Sequence, residues 1–253
     1  MSSPRYTNKH LLFAACIGAA LGYGALSVIN NNPAQHEPVA ALAPAQSQPP
    51  AIDREQVRKD LSTRFIGDPR TLGEKLRDFV AENSSAQTLP IACKVIADLA
   101  ENPDALSNQE LDALYHNQTD SDLQRVIAQV LSLRGDNHLI EQYVDDIKPA
   151  LHSDNPAAKR NALQTLAKTH YAGAATALVP LLEDEDASVK LDALLALRAT
   201  GNESHIHYVE PLLNHPDESV RWLAHDAINQ LQNLSTRART KLTSADIAAG
   251  LPL

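Results

Sequence analysis

Residues 149–231 decide the fold of this chain, because they contain one pattern three times. They read PALHSDNPAAKRNALQTLAKTHYAGAATALV (149–179), PLLEDEDASVKLDALLALRATGNESHIHYVE (180–210) and PLLNHPDESVRWLAHDAINQL (211–231). Each segment opens on a proline, so that Pro149, Pro180 and Pro211 mark a period of 31 residues. A fixed period of about 20–50 residues predicts stacked supersecondary units.

Each repeat predicts a helix, a tight turn and a second helix. In the middle repeat, Val189, Ala193, Leu194 and Leu197 are spaced as one face of an α-helix. Asp186 precedes them and is expected to cap that helix, since a short carboxylate accepts the free N–H groups of a first turn. The positions in register across the three repeats are the turn residues Asn155, Asp186 and Asp217, the basic residues Lys159, Lys190 and Arg221, and the alanines Ala162, Ala193 and Ala224. One such helix pair cannot bury its own apolar face, so the repeats are predicted to stack.

The turn segments 184–190 and 216–221 resemble HEAT repeats, in the bacterial form known as PBS-lyase-type HEAT-like repeats. The resemblance covers about 80 residues and implies an all-α fold, an α-solenoid of helical hairpins. It further implies that the first helices lie outside and the second helices line a concave face, with a ladder of turn acids and basic residues between repeats. Asp184, Asp186 and Lys190 match that pattern fully, whereas His215 and Ser153 replace the first acid in the neighbouring turns.

The solenoid is predicted to span residues 52–234, with clear repeats at 137–231. Upstream helices are predicted at 52–65, from Asp68-Pro69 onward, and at 89–100, 107–116, 120–133 and 136–150. Ser107 and Glu110 have the spacing of a capping box. These upstream segments are interpreted as degenerate repeats, because the terminal units of a solenoid face solvent on one side.

Two further features are given structural interpretations. Cys93 falls on the apolar stripe of its helix, which favours a small core residue over a reactive thiol. The C-terminal tail, residues 235–253, carries three basic residues, Arg237, Arg239 and Lys241, and is interpreted as a frayed end.

The N-terminal segment predicts a membrane anchor. Residues 1–10 contain Arg5 and Lys9, and residues 11–29 form an uncharged run that spans about 28 Å as a helix. The positive-inside rule then places residues 1–10 in the cytoplasm and the solenoid outside, which in a bacterium is the periplasmic side of the inner membrane. A cleaved signal peptide is the alternative. Residues 30–51 form a proline-rich flexible linker, and Gly18 and Gly22 have the spacing that lets two membrane helices associate.

Charge and motif content exclude several classes of function. The net charge of −9 disfavours nucleic-acid binding, which needs concentrated Lys and Arg. The ten histidines and two cysteines show no metal-ligand spacing, and His205 and His207 point about 200° apart on a helix. No nucleophile elbow, phosphate loop or dinucleotide fingerprint is present in the sequence. We therefore predict no catalytic, cofactor-binding or metal-binding residues.

A partner-binding surface is predicted on the second helices. Five residues form it, namely Arg160, Leu191, Leu195, Arg198 and Trp222. Trp222, the only tryptophan of the chain, and the arginines are of the types favoured as interface anchors. The alternative is that these side chains pack between repeats.

Two functions of different class follow. The first is a membrane-tethered, non-enzymatic adaptor that binds a protein or peptide on its concave face. The second is a HEAT-like enzyme or cofactor-loading protein of the lyase type.

Overall fold

The computed structural model describes residues 52–83 and 85–252, and within these ranges the secondary structure is entirely helical. The helices are α1 (Arg54–Ser62), α2 (Leu72–Glu82), α3 (Leu89–Asp98), α4 (Asn108–His116), α5 (Ser121–Leu133), α6 (His138–Leu151), α7 (Pro156–Ala167), α8 (Ala172–Leu178), α9 (Ala187–Thr200), α10 (Ile206–Val209), α11 (Glu218–Leu231) and α12 (Ser244–Ala249). Short 3₁₀ turns extend α8 (Val179–Glu183) and flank α10 (Glu203–His205 and Glu210–Asn214).

The three clear repeats form helical hairpins, as the 31-residue period predicts. The pairs are α6 with α7, α8 with α9, and α10 with α11, and the second helices α7, α9 and α11 pack side by side. Asn155, Asp186 and Asp217 cap the second helices through their side chains, which confirms the predicted caps. Pro180 and Pro211 lie in the 3₁₀ turns. This placement has a simple cause, since a proline lacks the N–H that would continue the α-helical ladder.

A continuous apolar core runs through the described residues from Leu61 to Ile247. The alanines in register, Ala162, Ala193 and Ala224, are all buried in it. A small side chain at this position lets neighbouring second helices approach closely, which explains its recurrence.

The upstream helices exist as predicted, but the starts of α1, α2 and α6 are shifted by two or more residues, with the largest shift in α2. Helix α1 begins at Arg54, with Asp53 as its cap, and helix α2 begins at Leu72 rather than near Asp68. Thr71 caps α2 in a capping box with Glu74, so Asp68 is left outside and instead pairs with Arg70 at 3.0 Å.

The predicted capping box of Ser107 and Glu110 is confirmed. Ile52 and Phe65, which the sequence placed on the stripe of the first helix, are exposed and lie beyond its ends.

Cys93 is fully buried in α3, as predicted. Burial raises the pKa of its thiol to about 12, because the thiolate would lose its hydration. At neutral pH the group is therefore a protonated core side chain with little nucleophilic character.

The interpretation of the C-terminal tail as a frayed end is wrong. Residues 232–252 are packed against the helices, and Leu242 and Ile247 are buried. The reason is a set of hydrogen bonds, many to backbone groups of distant loops, and Arg239 makes two of them.

The predicted membrane span, with Gly18 and Gly22, and the linker at 30–51 lie outside the described residues. Among residues 52–83 and 85–252, no helix has the length and apolar character needed to cross a membrane.

Candidate partner-binding surface

The five predicted surface residues lie on three adjacent second helices. Arg160 is on α7, Leu191, Leu195 and Arg198 are on α9, and Trp222 is on α11. Arg160, Leu191 and Trp222 each follow their N-cap residue by five positions, so they occupy equivalent places in the three helices. We call this surface, residues 160, 191, 195, 198 and 222, the Trp222 face.

Apolar exposure on the Trp222 face is concentrated in two side chains. Trp222 is 68% exposed and Leu195 is 46% exposed. Leu191 is half-buried and packs against the core, so only part of its side chain is open to a partner, and its role in partner binding stays a prediction. Leu191 lies three residues before the buried Leu194, at the edge of the α9 stripe, which accounts for that packing.

Both arginines of the Trp222 face have acidic partners on the next helix. Arg160 Nε donates to Asp192 Oδ2 at 2.6 Å, which joins α7 to α9. Arg198 Nε lies 3.0 Å from Asp226 Oδ2 as an ionic contact between α9 and α11. These pairs lie on the face and connect neighbouring second helices. Sequence analysis missed Asp192, although the acids follow their arginines by about one repeat, which is a signal that could have found them.

The Trp222 face ends at α7, because the residue at the equivalent position in α5 is buried. That residue is Arg125, five positions after its N-cap Asp120, and it is fully buried. Its guanidinium donates to Gln129 Oε1 at 2.8 Å and to Asp122 Oδ1 at 3.0 Å. The exposed row is therefore confined to α7, α9 and α11.

The family resemblance implies a ladder of turn acids and basic residues, and this ladder connects neighbouring hairpins at their turns. Lys159 Nζ of one repeat donates to Asp184 Oδ2 of the next at 2.6 Å. This hydrogen bond is the main reason that the pKa of Asp184 is lowered. Asp184 Oδ1 also accepts from the Asp186 N–H at 2.9 Å, so one carboxylate holds both its own turn and the preceding repeat.

His215 stands where the next turn would have the first acid, and it makes only one of the two contacts that Asp184 makes. Its Nδ1 accepts from the Asp217 N–H at 3.1 Å, as Asp184 does from Asp186. A neutral imidazole with Nδ1 as acceptor carries its proton on Nε2. That atom lies 3.2 Å from Lys190 Nζ, so a donor faces a donor. The third turn is thus capped, but its link to the preceding repeat is weaker.

Among the described residues, the histidines form no metal-ligand cluster, and His205 instead has a capping role. Within the described ranges, no group of three or more His, Cys, Asp and Glu side chains is placed to hold a metal ion. His205 is buried, and its Nδ1 lies 3.2 Å from the Asn202 N–H in a capping arrangement. Burial lowers its pKa, so it is a neutral structural residue at neutral pH.

A comparison with family models agrees with this architecture. A family model described as HEAT repeats matches residues 108–198, which extend from α4 to α9. The match begins further upstream than the region in which the turn residues carry the resemblance, and it ends before the third clear repeat. A search of curated proteins returns no match.

Two similar solved structures are crystal structures of engineered proteins. The first is 21% identical, with a TM-score of 0.31, and the aligned region covers 64% of this chain and 79% of that one. The second is 22% identical, with a TM-score of 0.32, and covers 64% of this chain and 48% of that one. The chain therefore spans about half the length of the second protein. Residues 108–198 are therefore similar in sequence to HEAT repeats, and the structure describes them as packed helices.

Proposed function

We propose that this protein is a non-enzymatic HEAT-like scaffold that binds a protein or peptide partner on the Trp222 face. The observation that carries the proposal is the exposure of Trp222, at 68%, beside Leu195 on the neighbouring helix. Tryptophan is among the residues most enriched at the centres of protein interfaces. A partner side chain that covers the indole would remove a large apolar area from water.

The surroundings of Trp222 support a protein contact. The ion pairs Arg160–Asp192 and Arg198–Asp226 flank the apolar pair with balanced charge. This arrangement resembles an interface with an apolar centre and a polar rim. The second helices α7, α9 and α11 pack side by side in a continuous core, so the surface is pre-organised, which lowers the entropy cost of binding.

We further propose that the scaffold is tethered to the inner membrane and faces the periplasm. Arg5 and Lys9 precede the uncharged run at 11–29, and no basic residue follows it until Arg54. The linker at 30–51 would span about 26 Å as a flexible chain and about 68 Å fully extended. The tether would then hold α1 and the repeats at a variable height above the membrane.

The test is Trp222→Ala in the full chain, with partner retention and melting temperature measured on the same protein. A tryptophan presents up to about 250 Å², so the exposed two-thirds is about 170 Å². At about 25 cal/mol per Å² its burial contributes at most about 4 kcal/mol. We expect binding to weaken by about 2 kcal/mol or more, the threshold of a hot spot.

Tyr208→Ala is the matched control, because Tyr208 is an exposed aromatic residue on α10, a first helix. It should leave binding unchanged. Equal losses in both variants would contradict the proposal. So would a stability loss of about 3–5 kcal/mol in Trp222→Ala, which is the cost expected for a buried aromatic side chain.

A further inference from the structure

The chain after α11 reverses direction and crosses the loops between repeats in reverse order. The carbonyl of Leu234 accepts from the Glu203 N–H at 2.9 Å. Asn202 Nδ2 donates to the carbonyls of Thr236 and Ala238 at 3.1 and 2.9 Å. This first part of the segment therefore lies on the loop between α9 and α10.

Arg239 binds two elements at once. Its Nη1 donates to the carbonyls of Arg198 and Gly201, at 3.1 and 2.8 Å, at the end of α9. Its own carbonyl accepts from the Ala172 N–H at 2.8 Å, at the start of α8. The residue has a φ of 61°, a conformation that costs a non-glycine residue energy and persists only where contacts enforce it.

The next part of the segment reaches the upstream helices. Asn137 Nδ2, before α6, donates to the Thr240 carbonyl at 2.9 Å. The Leu242 N–H donates to Ser132 Oγ in α5 at 3.3 Å, and the Leu242 side chain is buried. Helix α12, with Ile247 buried, then packs on α3 and α5.

Gly250 lies at the junction between the upstream helices and the clear repeats. A Cβ at this position would come within 2.7 Å of the Lys168 carbonyl, at the end of α7, and 2.8 Å of Arg125 Nη1 in α5. Gln129 Nε2 spans the same junction, since it donates to the Lys168 and Thr169 carbonyls at 3.1 and 3.0 Å. The segment therefore covers a polar contact between two groups of helices.

One continuous core runs through this junction, and we use the names upstream block for α1–α5 and downstream block for α6–α11 only to locate contacts on either side of it. In the upstream block, α1–α5, helix α5 packs on α3 and α4, and in the downstream block, α6–α11, helix α7 packs on α9. Helix α6 joins them, because it packs on both α5 and α7. Residues 234–239 contact the downstream block, helix α12 contacts the upstream block, and Gly250 lies close to both.

We propose that residues 232–252 form an intramolecular clasp, which fastens to loops and helices of both blocks and opens as one unit. Only two buried apolar side chains, Leu242 and Ile247, anchor the described part of the clasp. The remaining anchors named above are hydrogen bonds and the close approach at Gly250. Because a segment with few buried apolar contacts opens at lower free energy than a packed helix, the clasp opens while both blocks stay folded.

Hydrogen exchange on the full chain tests the clasp, with Arg239→Gln as the first variant. The amides of Ala172, Glu203 and Leu242 report on three separate crossing points. We expect all three to exchange roughly tenfold faster or more, because Arg239→Gln removes a charge-assisted anchor. Amides in the middle of α5 and α9 should keep their protection.

Gly250→Val perturbs the same clasp near its C-terminal end and should accelerate hydrogen exchange at the same three amides. Arg237→Gln is the control, because Arg237 is an exposed arginine of the same segment and should change none of them. Acceleration confined to the neighbourhood of each substitution would overturn the proposal. Loss of protection throughout α1–α11 in either variant would also overturn it, since the segment would then be part of the core.

Discussion

The ladder between repeats allows a quantitative prediction. It contains an ion pair, Lys159 with Asp184, whose N–O distance equals that of a more exposed ion pair elsewhere in the chain. Lys159 Nζ and Asp184 Oδ2 are 2.6 Å apart, and their side chains are 21% and 9% exposed. Lys148 Nζ and Asp145 Oδ1 are also 2.6 Å apart, but those side chains are 43% and 66% exposed. The two pairs therefore differ in burial and in setting, because Lys148 and Asp145 are three residues apart in α6 whereas Lys159 and Asp184 join two repeats.

The coupling energy of each pair follows from that difference. Hydrogen bonds to charged groups contribute about 1.5–3 kcal/mol when shielded, whereas exposed pairs contribute about 0.2–1 kcal/mol. We expect a coupling of about 1–2 kcal/mol for Lys159 with Asp184. For Lys148 with Asp145 we expect less than about 0.5 kcal/mol.

The assay is a double-mutant cycle followed by urea denaturation at pH 7. The substitutions Lys159→Met and Asp184→Asn remove the charges and keep the side-chain size, and the amide of Asn can still cap the turn. The pKa of Asp184 is lowered in the folded chain, so its stabilisation is present above the unfolded value, about 3.9, and is lost as pH falls below it.

The third turn provides the reverse experiment. His215→Asp would place a carboxylate where Lys190 Nζ now faces an imidazole nitrogen at 3.2 Å. We expect it to raise stability by about 1 kcal/mol. A coupling for Lys159 and Asp184 no larger than that of Lys148 and Asp145, with no gain from His215→Asp, would refute the view that the ladder links the repeats.

Three further predictions concern packing, pH and topology. Ala193→Leu should lower stability by about 1–3 kcal/mol, because Ala193 is fully buried between second helices, and an unchanged melting temperature would contradict that packing. The pKa of His170 is lowered, chiefly by burial, so its contribution is full above the unfolded value of about 6.5 and is lost as pH falls below it. His170→Asn, which tolerates the positive φ of 49°, should therefore reduce the loss of melting temperature between pH 7.5 and 5.5; an identical loss in both proteins would contradict it. Protease added to intact spheroplasts should digest the chain from Ile52 onward, and protection until lysis would contradict the proposed orientation.

The repeated hairpins could be predicted from the sequence because their signals are local. The capping residues Asn155, Asp186 and Asp217 act on amides two or three positions away, so their function can be read from a short segment. The 31-residue period then fixed which positions are equivalent, and this placed Trp222 on the open side of its helix. The boundary of α2 was missed for a similar local reason, since Thr71 and Asp68 were both acceptable caps and only Thr71 has Glu74 at the capping-box position.

The clasp could not be predicted, because its signals are not local. Arg239 binds carbonyls 41 and 38 positions earlier in the chain, and Gly250 fits against α5 and the end of α7. Nothing in the residues near either position indicates those contacts. The pairing of Arg160 with Asp192 could be predicted only in part. The repeat register places the two helices side by side, but it does not determine which side chains meet.

Site-specific photo-crosslinking tests the proposed scaffold function most directly. A benzophenone amino acid is placed at Leu195 in one full-length protein and at Tyr208 in another, and both are irradiated in cells that produce the chain. We expect a discrete protein adduct from position 195 that disappears when Trp222→Ala is added, and none from position 208. Adducts of equal yield at both positions, or an adduct at 195 that persists with Trp222→Ala, would contradict partner binding on the Trp222 face.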